Sequence, residues 1–312
     1  DILYEDKSII IVNKPSNLLT VSTEKEKERT LFHYVFDYLK KKNKNQNVAA
    51  LKAASFEYSK LFSKLGVTHF FSTRAGGVSD GLYSELNLGE YCGDNPDCVR
   101  VNRELVCSAV GAKRLFVPRE IHESEICEID DTFLSLSETD VRDRLLKYDA
   151  LITNVKGICI GVTTADCVPL LLFDKENNAA AAVHAGWRGV VKEIATKTIR
   201  KMSERYGSVP SNIYAVTGPA IGADVFEVGD EVIAEFEKAF SVHEMEQIKY
   251  GYRNDKVTLN LQKSLEIQLV NCNIPPCNIE TNINCTYSST RYFSARRDGL
   301  KSGRAVCAIM LR

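Results

Sequence analysis

Histidine and tryptophan are scarce in this chain, five and one among 312 residues, and methionine is limited to three. Scarcity makes each such position informative, because a metal centre or a stacking platform has few places to be. An excess of one charge is missing too. The 40 Lys and Arg nearly balance 41 Asp and Glu, a formal charge of -1, so no global field recruits nucleic acid or an acidic membrane, and substrate must be recognised locally. No apolar run approaches the roughly 20 residues that span a bilayer. The opening residues do not read as a secretory leader, which makes the cytoplasm the expected location. Ten cysteines show neither a CxxC pair nor a compact framework spacing, which argues against a zinc ribbon and a disulfide scaffold. Most read as reduced thiols in apolar surroundings.

What is present begins with an apolar content of 44%, enough for a sizeable core in one large or two smaller domains, as a monomer or small homo-oligomer. Residues 1–50 differ from the rest. ILYEDKSIIIVNKPSNLLTV alternates strand-like runs with a turn at Asn13 to Asn17, and TLFHYVFDYLKKKNKNQN reads as an amphipathic helix fading into a Lys/Asn-rich linker. A boundary near residues 42 to 50 separates this appended segment from a catalytic domain over 51–312. The opening phrase resembles the start of the pseudouridine synthases that modify large ribosomal RNA. That family's His-Arg-Leu-Asp motif does not follow, so the segment reads as an appended hairpin and helix without that chemistry.

From residue 60 onward helices and strands mix. Asn95 and Pro96 start a helix that Gly111 ends, with Val101, Leu105 and Ala109 expected on one face. Val190 to Tyr206 reads as one helix with Val191, Ile194, Thr198 and Met202 inward. Others are expected from about Val228 to Phe240 and, behind the cap Asn260, from Leu261 to Val270. The runs IGVTT, LLLFD, AAAVH, IYAVTG, KVTLNL and VCAIML are short and apolar on both faces, as central strands covered by helices are. An α/β fold follows. Lys175 to Asn178 is a polar turn, which makes Leu170 to Asp174 and Ala179 to His184 antiparallel neighbours.

That hairpin carries the chemistry. Cys167 precedes one strand and His184 ends the other, both at the rim opposite the turn, and paired strands lie about 5 Å apart, so the two side chains can share an ion. Ala185-Gly186-Trp187-Arg188-Gly189 lets backbone approach a ligand and then starts a helix, whose amides favour an anion. Trp187 is a candidate stacking platform, with packing as its plainer use. A third ligand must come from the remaining histidines. His33 lies in the appended segment and His243 in a charged surface stretch, while spacing leaves His69 and His122 comparable. Arg74 and Arg188 are candidate anion contacts, with Arg296 and Arg297 behind them. Asp149 and Asp166 are placed to orient ligands or accept protons, and Asn87 to form a polar pocket wall. Turn and cap chemistry is the competing use of these last three.

Successive motifs, THFFSTRAGGVSDGLYSELNLGEYCGDNPDCVRVNR, IHES, DALIT, GVTTADCVPLLLFD, AAVHAGWRG, TGPAIG, FEVGDEV, CT and YFSARRDGLKSGR, resemble in order and density the polyphenol oxidase (laccase-domain) family, now commonly described as purine nucleoside phosphorylases. The resemblance covers roughly residues 60 to 312. It implies a four-layer α-β-β-α sandwich with mixed sheets and one zinc ion held by His122, Cys167 and His184. It also implies phosphorolysis of adenosine, inosine, guanosine or methylthioadenosine by phosphate, and deamination of adenosine. Where the family carries a glutamine two residues before its first histidine, this chain has Glu120. The segment between His122 and Asp149 is also longer and rich in Asp, Glu and Arg.

Three other readings compete. Copper is the alternative metal, suggested by the family's older name, but a multicopper oxidase needs more imidazoles than five histidines supply. The implied fold is shared with cytotoxic necrotizing factor deamidases, so Cys167 activated by His184 is the metal-free alternative, an amide hydrolase. An RNA-associated adaptor would rest on the opening segment and Lys40 to Lys44, a weak basis in a near-neutral chain.

Overall fold

A computed structural model describes residues 2–5, 10–12 and 54–312. The chain divides into two compact units, 1–53 and 54–312. In the first, β1 (Ile2–Glu5) and β2 (Ile10–Val12) pair antiparallel, with Glu5 opposite Ile10. The helix expected over 30–47 and His33 lie outside the described residues.

The second unit is built on two mixed sheets. One has five strands in the order β3 (Phe56–Glu57), β4 (Thr68–Ser72), β15 (Ala305–Met310), β8 (Cys159–Thr164) and β5 (Leu115–Phe116). The other has six, ordered β14 (Ile279–Glu280), β11 (Ile213–Thr217), β9 (Val168–Asp174), β10 (Ala179–Ala185), β7 (Ala150–Thr153) and β6 (Ile126–Glu128). Strand periodicity assigns the faces. In β10, Ala179, Ala181 and Val183 belong to one core while Ala180 and Ala182 belong to another. The second of these lies between the sheets, where Leu171 and Phe173 of β9 and Val216 of β11 meet Ile160 and Val162 of β8 and Cys307 and Ile309 of β15. The first is roofed by helices that contribute Val190, Ile194, Met202, Phe236 and Leu265. A third core, behind the five-stranded sheet, joins Phe70, Val306 and Ala308 to Val106 of the helix Pro96–Val110. The order helix, sheet, sheet, helix is therefore a four-layer α-β-β-α sandwich. Burying each large aliphatic side chain in these layers contributes about 1.5–3 kcal/mol.

Local signals explain most element ends. Asn95 caps the helix Pro96–Val110 by accepting from Asp97 N, and Gly111 closes it at φ 70°. Its buried face, however, is Val99, Asn102 and Val106 rather than Val101, Leu105 and Ala109. Asn102 draws it there: its amide satisfies Val78 N, Ser79 Oγ and Asn87 O in the loop beneath. The helix expected over Val190 to Tyr206 is two helices, Trp187–Val191 and Ile194–Tyr206, separated by Glu193 at φ 58°. KVTLNL is not a central strand. It forms β13 (Lys256–Leu259), which pairs with β12 (Lys249–Arg253) in a separate two-stranded sheet. The helices Asp130-capped Asp131–Leu134 and Ser137-capped Glu138–Arg144 fill the long segment after His122, and their Phe133 and Val141, with Leu145 of the 3-10 turn that follows, enter the inter-sheet core. All ten cysteines are free. No helix among the described residues is long and apolar enough to cross a membrane.

Candidate metal centre and its cavity

The hairpin β9–β10 has the register that Lys175 to Asn178 dictates: Ala179 stands opposite Asp174 and His184 opposite Pro169. The parity that sends Ala180 and Ala182 into the inter-sheet core directs His184 to the same face, at the end where the sheets part. Cys167, two residues before Pro169, shares that parity. His122 arrives from the loop after β5, held at φ 61°, a left-handed conformation that costs a residue other than glycine or asparagine something and persists only when its surroundings enforce it. Here they do. The Asp149 carboxylate accepts the backbone N–H of His122 at 2.9 Å, of Glu123 at 2.9 Å and of Ile121 at 3.3 Å.

The same carboxylate reaches His184, with Oδ1 2.9 Å from Nδ1. An ionised carboxylate only accepts, so Nδ1 carries the proton and Nε2 is left as the donor atom for an ion. Asp149 sits directly before β7, whose Ala150 is paired with Val183, and its own carbonyl receives the His184 N–H at 2.7 Å. One ligating-atom set results: His122, Cys167 and His184 offer a nitrogen, a sulfur and a nitrogen, all within 4.8 Å of one another. Two imidazoles and a thiolate are a donor set that would suit a divalent ion such as zinc. Gly186 makes room. A Cβ at that position would stand 2.9 Å from Cys167 Sγ and 3.4 Å from the His122 ring.

The electrostatics favour a thiolate at Cys167 beside a protonated His184, whose Nε2 proton a bound divalent ion would displace. Burial works to raise the Cys167 thiol, but His184 beside it and hydrogen bonds from both imidazoles bring it down to about 6. Burial likewise opposes an imidazolium at His184, yet the sulfur and the Asp149 carboxylate raise it well above its ordinary value. For Asp149, burial is outweighed by His184 and the backbone donors, and the carboxyl is held low. Glu120 accepts from Thr163 N at 2.6 Å and Thr163 Oγ1 at 2.8 Å; burial raises its carboxyl against the pull of His184 and Thr163.

The three donors lie in the wall of a cavity of about 630 Å³, of the size that small-molecule sites have. Glu120, Thr163 to Asp166, Tyr91, Phe226 and four arginines line it as well. Asp166 is among them, at φ 104°, but its carboxylate is committed to Thr286 Oγ1 at 2.6 Å and Arg296 N at 2.7 Å, so it ties Arg296 to the floor. Asn87 is buried one shell behind. It accepts from Gly89 N and Arg304 N and donates to Asp94, holding the 87–94 loop. Arg74 is outside the lining residues: Nε donates to Ser84 O at 2.8 Å and the guanidinium lies over Phe293. Trp187 packs against the helix-covered core and carries Arg188 on its ring at 4.3 Å; neither lines the cavity. Arg297 is spent on the carbonyls of Thr286, Tyr287, Ser289 and Tyr292. His69, comparable to His122 by spacing, is buried in β4 instead, accepting from Ser59 N at 2.8 Å. Arg119, Tyr91 and Phe226 were not legible as site residues. Arg119 adjoins Glu120 in PREIH, and that adjacency is the one signal the sequence offers for it.

Comparison with known proteins places the chain in a family. The family model for multi-copper polyphenol oxidoreductase laccase matches residues 68–312. A purine nucleoside phosphorylase of Bacteroides thetaiotaomicron is 36% identical over 258 residues, 81% of this chain and 95% of that protein. An adenosine deaminase, RL5, from an unknown prokaryotic organism is 36% identical over 248 residues, 78% and 94% of the two chains. Among solved structures, the hypothetical protein YfiH of Bacillus licheniformis superposes with a TM-score of 0.73 at 30% identity, covering 80% of this chain and 94% of its own. None of these likenesses extends to a pseudouridine synthase, so that resemblance of the opening segment stands without support.

Proposed function

The chain belongs to the multi-copper polyphenol oxidoreductase laccase family, and from that premise we propose that it is a zinc-dependent purine nucleoside phosphorylase of the cytoplasm that also deaminates adenosine. The observation that carries the reading is the convergence of His122, Cys167 and His184, donor atoms within 4.8 Å, on a cavity large enough for a nucleoside. The names of the two relatives, a purine nucleoside phosphorylase and an adenosine deaminase, supply the substrate class, purine nucleosides with phosphate as co-substrate. Zinc held by these residues would supply Lewis acidity.

The chain's own residues do the rest. Asp149 keeps the proton of His184 on Nδ1, which orients that ring, and holds the backbone that carries His122. Tyr91 and Phe226 line the same cavity, each with a guanidinium over its ring, Arg119 at 5.0 Å and Arg296 at 5.7 Å, and so give the wall aromatic and cationic surface for a bound nucleoside. In phosphorolysis an oxygen of hydrogen phosphate bonds to the ribose C1′ as the C1′–N9 bond breaks. The bonding pair goes to the purine, which also receives the phosphate proton, and the products are ribose 1-phosphate and free base. In deamination water adds at C6 of adenosine and ammonia leaves, giving inosine.

A second reading rests on the lowered Cys167 thiol beside a charged His184, which is also the pair a thiol hydrolase uses. Copper in place of zinc would meet the same two imidazoles and thiolate, but the described His69 and His243 are remote from them, one in the core and one on an exposed helix, and supply no further copper site. The test is product analysis of adenosine and inosine with and without phosphate. Ribose 1-phosphate formed only with phosphate, and ammonia formed without it, support the proposal. An amidase that is inert to nucleosides would replace it.

A further inference from the structure

Four arginines line the cavity, and three of them spend their guanidinium donors on the protein. Arg103 donates from Nε to Leu88 O at 2.9 Å and is paired with Glu90. Arg304 gives its terminal nitrogens to the carbonyls of Ser302, Gly303 and Leu300 at 2.6, 3.0 and 3.0 Å. Arg296 shares both of its terminal nitrogens with Glu227 O at 3.3 Å.

Arg119 is built differently. Its side chain is exposed, its guanidinium carbon lies 5.0 Å from the centroid of the Tyr91 ring, and no described residue takes a hydrogen bond or ion pair from its side chain. Stacking on an aromatic face fixes the plane of a guanidinium while leaving its N–H groups free. The backbone is fixed as well, since Arg119 N donates to Leu145 O at 2.8 Å and the chain then runs through Glu120 to the Asp149-held His122. A planar fork of donors, unspent among the described residues, thus stands on the wall of the cavity that contains the sulfur and two imidazoles.

We infer that Arg119 binds the phosphate co-substrate, a role the sequence suggested for Arg74 and Arg188. The inference deepens the phosphorylase reading and rests on it. A phosphate dianion matches the fork in charge and geometry, with two parallel N–H···O bonds. The same chemistry would accept the 5′-phosphate of a nucleotide, and the experiment separates the two sources.

Calorimetric titration of the full-length protein measures inorganic phosphate, adenosine 5′-monophosphate and adenosine as separate ligands, on the parent, Arg119→Ala and Arg119→Lys. Inorganic phosphate is expected to bind the parent. Its Kd should rise at least tenfold in Arg119→Ala and less in Arg119→Lys, while the Kd for adenosine changes less than threefold. In turnover the KM for phosphate should rise in the same order. Near-parental phosphate binding by Arg119→Ala overturns the inference, as does a parent that does not bind inorganic phosphate or that shows Arg119-dependent binding only of the monophosphate. Should Arg119→Ala not fold, the same criteria apply to Arg119→Lys. Arg119-dependent phosphate binding in a protein that leaves nucleosides intact keeps the anion site and removes the phosphorylase reading.

Discussion

Asp149 and His184 are joined twice, through Oδ1 to Nδ1 at 2.9 Å and through the His184 N–H to the Asp149 carbonyl at 2.7 Å. The first contact orients a ligand ring and the second fixes the strand end that carries it. Because the same carboxylate holds the backbone of His122, one buried acid positions two of the three donors. Asp149→Asn keeps the size but removes the charge and one acceptor. Outer partners of metal-bound histidines are worth about 10–100-fold in affinity or activity. A loss in that range is expected for zinc, measured by competition with a chromophoric chelator, and unchanged affinity would leave Asp149 a merely structural residue.

Gly186 is required for space. Gly186→Ala places a methyl group 2.9 Å from Cys167 Sγ, closer than real Cβ contacts come, so the sulfur or the turn must move. Zinc affinity and nucleoside turnover should both fall at least tenfold. Gly251→Ala, whose Cβ would meet only Thr258 at 3.9 Å, should change neither, and circular dichroism checks that both variants fold.

The β9–β10 hairpin was legible because a four-residue polar turn sits between two apolar runs, and its register then places Cys167 and His184 without further information. The choice between His69 and His122 was not legible. His69 lies on a strand by alternation and His122 follows an apolar run, and what separates them is tertiary: Ser59 N takes up the His69 ring, whereas Asp149, 27 residues further along, holds the His122 backbone at the cavity. Glu193 hid in the same way. The apolar spacing of Val191, Ile194, Thr198 and Met202 continues across the break it makes, so periodicity alone reads one helix. Arginine roles were the least legible, since whether a guanidinium is spent or free depends on carbonyls supplied by distant loops.

His69 gives a pH dependence. Burial holds its pKa below the ordinary histidine value, so the unfolded chain binds the proton more tightly than the folded one. The neutral ring's contribution is intact above the unfolded value, about 6.5, and is lost progressively as pH falls from there towards the lowered folded value. His69→Gln should remove this component, so the stability gap between parent and variant in urea narrows from pH 8 to pH 5. Truncation to Ala leaves Ser59 N without its acceptor and should cost about 1–3 kcal/mol at pH 8. A gap independent of pH would mean that the ring is not held neutral.

The central claim is that His122, Cys167 and His184 hold one divalent ion, and metal content per chain tests it most directly. Elemental analysis of protein purified without added metal should find one zinc per chain in the parent and little in Cys167→Ala or His184→Ala, with nucleoside turnover lost in parallel and restored to the chelated parent by zinc. A metal-free parent that turns over nucleosides, or a Cys167→Ala variant that keeps both its zinc and its activity, would contradict the account.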